Sequence, residues 1–388
     1  GGKPLLDSRI EIVRAIEGVK LAADTINKLT GTPVPMGHTL ASANKIAHTS
    51  REPIGVVVAI SAFNHPLNLI VHQVATAIAA GCPVIVKPAG TTPLSCLTFR
   101  DMLIDAGLPA DWCQVVICKP SIAEKLATDP RVNFLTFIGS GSVGWSLRSK
   151  LAPGTRCVLE HGGVAPAIIE ADANLGKVVP ALTKGSFYHA GQVCVSIQRV
   201  YAQQSIFYEL AELLKQSAQQ LTVGEPLNED TQVGPLITPL ETDRVHQWVQ
   251  EAIEEGATLL CGGEKLSATT YAPTILISPN KNSKVSTEEV FGPVLCLYEY
   301  VNIEEAISKS NSLNVAFQSA IFTQDIDKAI KAANQLDSTA VMINDHTAFR
   351  VDWMPFGGRK LSGLGLGGIE QTIQEMTEEK MIVINYSK

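Results

Sequence analysis

The feature that most constrains this chain is a series of short, continuously apolar runs, each followed by a helical stretch. Gly55-Val-Val-Val-Ala-Ile60 and Val84-Ile-Val86 lack the alternation of a strand with one wet face. Such runs read as strands buried on both sides, the state found inside a parallel sheet. Residues 69–86 are apolar enough to be mistaken for a membrane span, but His72, Gln73 and the Gly81-Cys82-Pro83 break divide them into a helix (69–80) and a strand. The alternation then continues: helix 95–106, strand 114–117, helix 122–128, strand 133–138. Repeated β-α-β units predict an α/β fold with a doubly wound parallel sheet, whose ligand crevice lies beyond the carboxyl ends of its strands.

A helix over residues 10–29 precedes this series, with Ile12, Val13, Ile16, Val19, Leu21 and Ile26 expected as its apolar face. Beyond it, helices near 175–188, 206–221 and 241–255 mark a second α/β segment from about Gly163 to Met354, long enough for a domain of its own. The turn-rich stretch 224–239 reads as a loop. The apolar run 380–386 reads as a strand that needs a partner, within the chain or in another subunit.

At 388 residues the chain has room for about two to three domains. Lysine and arginine number 31 against 38 acids, a formal charge of −7, and no basic run is present that would track a phosphate backbone, so nucleic acid is not an expected partner. A membrane is not one either. Eight cysteines without a Cys-x-x-Cys pair read as free thiols in a reducing compartment, and Gly1-Gly2-Lys3-Pro4 opens into a helical pattern rather than a leader, so a cytoplasmic location is expected. No metal-ligand set is assigned.

Gly139-Ser-Gly-Ser-Val-Gly144 follows a predicted strand and opens a helix, so its backbone amides suit a pyrophosphate; taken alone it is equally a tight strand-to-helix turn. Cys194, in His189-Ala-Gly-Gln-Val-Cys194, lies past a helix and a glycine, where free backbone N–H groups would lower a thiol pKa; most single cysteines are small buried hydrophobes. Four further stretches accompany these: Ser61-Ala-Phe-Asn64-His65-Pro66, Leu159-Glu160-His161-Gly162-Gly163, Glu288-Glu289-Val290-Phe291-Gly292-Pro293, and Pro355-Phe356-Gly357-Gly358 running on to Gly363. In this order and at these separations the sequence resembles the aldehyde dehydrogenase superfamily from about residue 1 to its C-terminus.

The resemblance implies roles for individual residues. Cys194 is the nucleophile that attacks the aldehyde carbon. Asn64 and the Cys194 backbone N–H hold the resulting oxyanion. Glu160 is the general base that activates water against the thioester, with His161 standing where a leucine is usual. Lys87 holds the adenosine ribose, Gly139 and Ser140 lie beside the pyrophosphate, and Glu289 with Phe291 clamp the nicotinamide ribose of NAD or NADP. At Gly90 the chain lacks the acid that often binds the ribose hydroxyls in NAD-preferring relatives, which admits a 2′-phosphate. Arg350 and His65 are candidates to meet an anionic tail, a guanidinium being suited to a carboxylate or phosphonate fork. The alternatives are that Arg350 pairs with Asp352 or Asp345 and that His65 is a satisfied loop residue.

The fold implied is aldehyde dehydrogenase-like. It has a Rossmann-like cofactor domain over 1–162, interrupted by flap strands at about 36–52, and an α/β catalytic domain over 163–354. Residues 355–376 return to the cofactor domain, and 377–388 form an oligomerisation strand. Part of the cofactor domain is expected to precede the residue that is Gly1 here, and homodimers or homotetramers follow from the flap. The activity implied is NAD(P)-dependent oxidation of a small aliphatic aldehyde to its carboxylate, semialdehydes and phosphonoaldehydes included. Two alternatives stand beside it: an acylating enzyme that passes the thioester to coenzyme A, and a non-catalytic protein that keeps the fold.

Overall fold

The structure, a computed structural model, describes residues 1–386. Its first sheet has six strands in the order Gly363–Leu364, Arg156–Glu160, Phe134–Ile138, Val57–Ile60, Val84–Lys87, Cys113–Val115. All neighbours are parallel except Gly363–Leu364, which runs antiparallel to Arg156–Glu160. Val57–Ile60 is fully buried, as its unbroken apolar run requires. The winding reverses between Val57–Ile60 and Phe134–Ile138, so the loops that leave these two strands flank a crevice. Those loops carry Asn64 and His65 on one side, Gly139 and Ser140 on the other.

A second sheet of seven strands runs Thr258–Cys261, Thr274–Ile277, Val294–Tyr300, Ile197–Gln203, Ala165–Ile169, Gln318–Phe322, Ala340–Ile343. Its neighbours are parallel apart from the Thr258–Cys261 edge. The largest apolar core, including Leu182, Phe187, Leu214, Leu295 and Phe322, packs around it. A third, antiparallel sheet joins Pro33–Val34, Lys45–Pro53 and Thr377–Asn385. The expected C-terminal strand therefore finds its partner within the chain; positions 387 and 388 of the expected 377–388 segment lie outside the described residues.

Two helices depart from the expectation. The first, Leu5–Ile26, turns its isoleucines outward: Ile12, Val13, Ile16, Val19 and Ile26 are exposed, while Asp7, Glu11, Ala15, Gly18, Ala22 and Thr25 are buried. Close approach decides the face, since a side chain at Gly18 would press on Val71 at 3.1 Å. Charge pairing completes it, Glu11 holding Lys3 at 2.7 Å and Arg14 holding Asp352 at 3.0 and 2.7 Å. The expected helix 69–80 is helical over Asn68–Ala79 but carries a π-helical stretch at Val71–Ala75. Within that stretch Gln73 Nε2 donates to the carbonyls of Ile60 and Thr136, each at 3.2 Å, tying the two strands at the winding reversal. No helix among the described residues is long and apolar enough to cross a membrane.

Candidate active site

One cleft of about 1040 Å³ runs along the carboxyl ends of the first sheet and is lined by Asn64, Lys87, Glu160, Cys194, Glu289 and Arg350, among others. Gly139, Ser140, Phe291 and His65 line it too, so every residue singled out in the sequence meets in one place. That volume is at the upper end for a small-molecule site and leaves room for more than a small aldehyde.

Cys194 reaches the cleft through a strained run of chain. His189, Ala190 and Gly191 are all left-handed, with φ of 49°, 55° and 68°, a conformation that costs roughly 1–2 kcal/mol for each residue with a side chain. A Cβ at position 191 would run into the Gly292 carbonyl, so only glycine fits there. Gln192 anchors the segment that leads to the thiol. Its Nε2 donates to the carbonyls of His189 (3.3 Å) and Pro235 (3.2 Å), and its Oε1 accepts from Ile237 N–H at 2.9 Å. The Gln192 carbonyl accepts from Asn64 Nδ2 at 2.9 Å, fixing the buried amide beside the thiol loop. Sequence reasoning noted Gln192 only as part of a motif; a buried glutamine two residues before a candidate nucleophile was the available signal.

The expected lowering of the thiol pKa does not hold. Burial, with Glu289 adding to it and Arg350 opposing, pushes Cys194 up to about 12. The free N–H groups of the loop are outweighed by desolvation and a nearby acid. Burial likewise pushes Glu160 up to about 7 against the opposing charge of Arg350, and Glu289 up to about 8 against that of Arg244. Glu160 ends its strand with its carboxylate against Gly367, where a Cβ would collide with it.

The fit to a dinucleotide rests on groups left without protein partners. Glu289 Oε1 is buried and unpaired, lying over Gly162, as suits a carboxyl group that a ribose diol would meet. The Lys87 ammonium, at the end of Val84–Lys87, has neither an ion pair nor a hydrogen bond among the described residues, and a side chain at Gly90 would meet nothing within 4 Å. Phe291 is left-handed (φ 47°) and packs edge-on against Phe63 at 5.8 Å. His161 fills the place of the usual leucine by donating Nδ1–H to the Gly139 carbonyl at 2.9 Å, which ties down the glycine turn, while its ring occupies the space that a side chain at Gly144 would need.

Arg350 and His65 part company. The Arg350 guanidinium lies over the Phe356 ring, 3.5 Å from its centroid, and its buried Nε has no hydrogen-bond partner. The alternative pairing with Asp352 is present as a long ion pair at 3.9 Å, Asp352 being held more closely by Arg14, by His72 Nε2 at 2.7 Å and by Asn68 Nδ2 at 3.1 Å. His65 offers no positive charge to an anion: burial first, then the Lys3 charge, hold its imidazole neutral. No group of three or more His, Cys, Asp or Glu side chains placed to hold a metal occurs among the described residues.

The family model described as "Aldehyde dehydrogenase family" matches residues 1–382. The chain is 41% identical over 386 residues to a 3-sulfolactaldehyde dehydrogenase of Priestia megaterium, covering 99% of this chain and 80% of that one. It is 39% identical over 389 residues to a lactaldehyde dehydrogenase of Methanocaldococcus jannaschii, at 99% and 82% coverage. Among solved structures, glyceraldehyde-3-phosphate dehydrogenase of Methanocaldococcus jannaschii complexed with NADP superposes with a TM-score of 0.94 at 38% identity, covering 99% of this chain and 83% of that one. Aldehyde dehydrogenase 21 of Physcomitrella patens, in complex with the reaction product succinate, gives 0.96 at 35% identity, with 99% and 80% covered.

Proposed function

The chain belongs to the aldehyde dehydrogenase family and is an NAD(P)-dependent oxidoreductase of aldehydes, and we propose that its substrate is a small aldehyde with an anionic tail, released as the free carboxylate. The observation that carries this reading is Arg350, a largely buried side chain whose Nε has no hydrogen-bond partner, in the same cleft as Cys194 and Glu160. A largely buried cation whose only ion pair is a long one, to Asp352 at 3.9 Å, has donors left for a ligand's carboxylate, sulfonate or phosphate. The names of the relatives, sulfolactaldehyde dehydrogenase among them, agree with such a tail.

In this reading Cys194 Sγ releases its proton to solvent in the cleft and bonds to the aldehyde carbon, while Asn64 Nδ2 and the Cys194 N–H donate to the oxygen that becomes negative. Bound NAD(P) would supply the hydride acceptor through which the adduct becomes a thioester. Glu160 then takes a proton from water as the water oxygen attacks the thioester carbon, and the thiolate leaves. Asn64 is held for its task by the Gln192 carbonyl, and Glu289, Phe291, Lys87, Gly139 and Ser140 would hold the dinucleotide. The free Lys87 ammonium and the vacant side-chain position at Gly90 favour NADP at least as much as NAD.

Retention of Glu160 favours water over coenzyme A as the acyl acceptor. The cofactor and catalytic domains divide near residue 163, with 355–376 returning to the first sheet. The sheet of Pro33–Val34, Lys45–Pro53 and Thr377–Asn385 carries exposed Ile46, Met381 and Val383, which fits an edge that pairs subunits into homodimers or homotetramers. Eight free thiols accord with the cytoplasm. The test is a panel of aliphatic, semialdehyde, sulfo and phosphono aldehydes run with NAD and NADP, with and without coenzyme A. Preference for the anionic members with no coenzyme A consumed is the expected result; equal turnover of uncharged aldehydes, or coenzyme A thioester as product, would overturn it.

A further inference from the structure

His65 has a tautomer that the surrounding chain dictates. Its Nδ1 lies 2.7 Å from Lys3 Nζ, and Lys3 Nζ lies 2.7 Å from Glu11 Oε2. Glu11 Oε1 accepts the backbone N–H groups of Leu67 at 2.8 Å and Asn68 at 2.9 Å, so both Glu11 oxygens face donors. With its side chain only 4% exposed and that of Lys3 6% exposed, the carboxylate needs its partner as an ammonium. An ammonium has only donors. Nδ1 must therefore accept, and the ring's single proton sits on Nε2.

That Nε2–H has no hydrogen-bond partner among the described residues and is not sealed away with the buried orphaned atoms, whereas both nitrogens of the neighbouring His189 are. His65 lines the cleft with Cys194 and Arg350 and is one residue from Asn64, the amide proposed to meet the aldehyde oxygen. A neutral N–H donor beside the aldehyde-binding amide, in the cleft that Arg350 also lines, suits an oxygen on the carbon next to the aldehyde. We propose that the Lys3–Glu11 pair fixes His65 as an Nε2–H donor to a 2-hydroxyl group, making the substrates 2-hydroxyaldehydes with an anionic tail. This rests on the anionic-aldehyde reading above and adds a second recognition point to it.

The experiment compares two three-carbon aldehydes with a terminal sulfonate, one with and one without the 2-hydroxyl, through kcat/KM. The wild-type chain is expected to prefer the hydroxylated compound by roughly tenfold, the scale of one neutral hydrogen bond made in a desolvated site. His65→Phe should bring the ratio close to one. His65→Gln, whose amide N–H reaches about as far as Nε2–H, should keep most of the preference. Lys3→Met frees the tautomer and should lower the ratio without touching the substrate. A wild-type ratio near one, or an unchanged ratio in His65→Phe, overturns the assignment while leaving the anionic-aldehyde reading intact. Failure of the wild type to oxidise either sulfonate overturns both.

Discussion

Replacing Glu160 with glutamine separates the two halves of the proposed reaction. The exchange conserves shape, so the close packing against Gly367 survives, and the oxidation half needs only Cys194, Asn64 and the dinucleotide. The second half loses its base. Burial places the carboxyl at about 7, where it is substantially ionised near neutral pH yet basic enough to deprotonate water in the transition state. General-base catalysis of this kind is worth roughly 10²- to 10⁴-fold. Rapid mixing of Glu160→Gln with aldehyde and NADP should give one equivalent of reduced cofactor per site at the wild-type rate, followed by a steady state slower by that factor.

The same group sets the pH profile. Deacylation in the wild type should fall about tenfold per pH unit well below 7 and level off above it, and the glutamine variant should lose this inflection. Stability gives an independent reading. Raising the carboxyl from its ordinary 4.5 to about 7 means the native state holds its proton more tightly than the unfolded chain does. Stability from this group is then fully present below 4.5 and is lost as pH rises through 7, at a limiting cost of about 3 kcal/mol. Glu160→Gln escapes that cost, so its melting temperature should gain on the wild type between pH 5 and pH 8.5. Wild-type steady-state turnover in the variant, or a wild-type deacylation rate that stays flat from pH 5.5 to 8, would refute the assignment.

Three further results are expected. Cys194 in the cofactor-free protein should resist iodoacetamide at pH 7 and gain reactivity only at strongly alkaline pH, since burial and Glu289 hold the thiol near 12; labelling with an apparent pKa below 8 would contradict this. Arg350→Met should raise KM for sulfonate and carboxylate aldehydes by roughly 10- to 100-fold, the worth of a charged hydrogen bond, with a much smaller change for propanal. His161→Leu removes the hydrogen bond to the Gly139 carbonyl, so it should weaken dinucleotide binding several-fold in a fluorescence titration while KM for the aldehyde stays put.

What could be read in the chain itself divides along a physical line. Strands buried on two faces are predominantly apolar, so Val57–Ile60, and Phe134–Ile138 with only Thr136 interrupting it, announce themselves, and with them the crevice at their carboxyl ends where Asn64 and Gly139 sit. A side chain's protonation state depends instead on partners remote in sequence. His65 is neutral through burial first and is oriented by Lys3, 62 positions away, and Arg350 keeps only a long contact to Asp352 because Arg14, 338 positions from Asp352, bonds that acid more closely. The outward-facing isoleucines of Leu5–Ile26 follow from the same contacts. Periodicity ranks helix faces by hydrophobicity, but here the buried face is the one that carries Glu11 and lies beside Arg14. A helix that delivers ion pairs to an active-site wall is thus selected for what its charges hold in place, and its hydrophobic pattern reports a different surface.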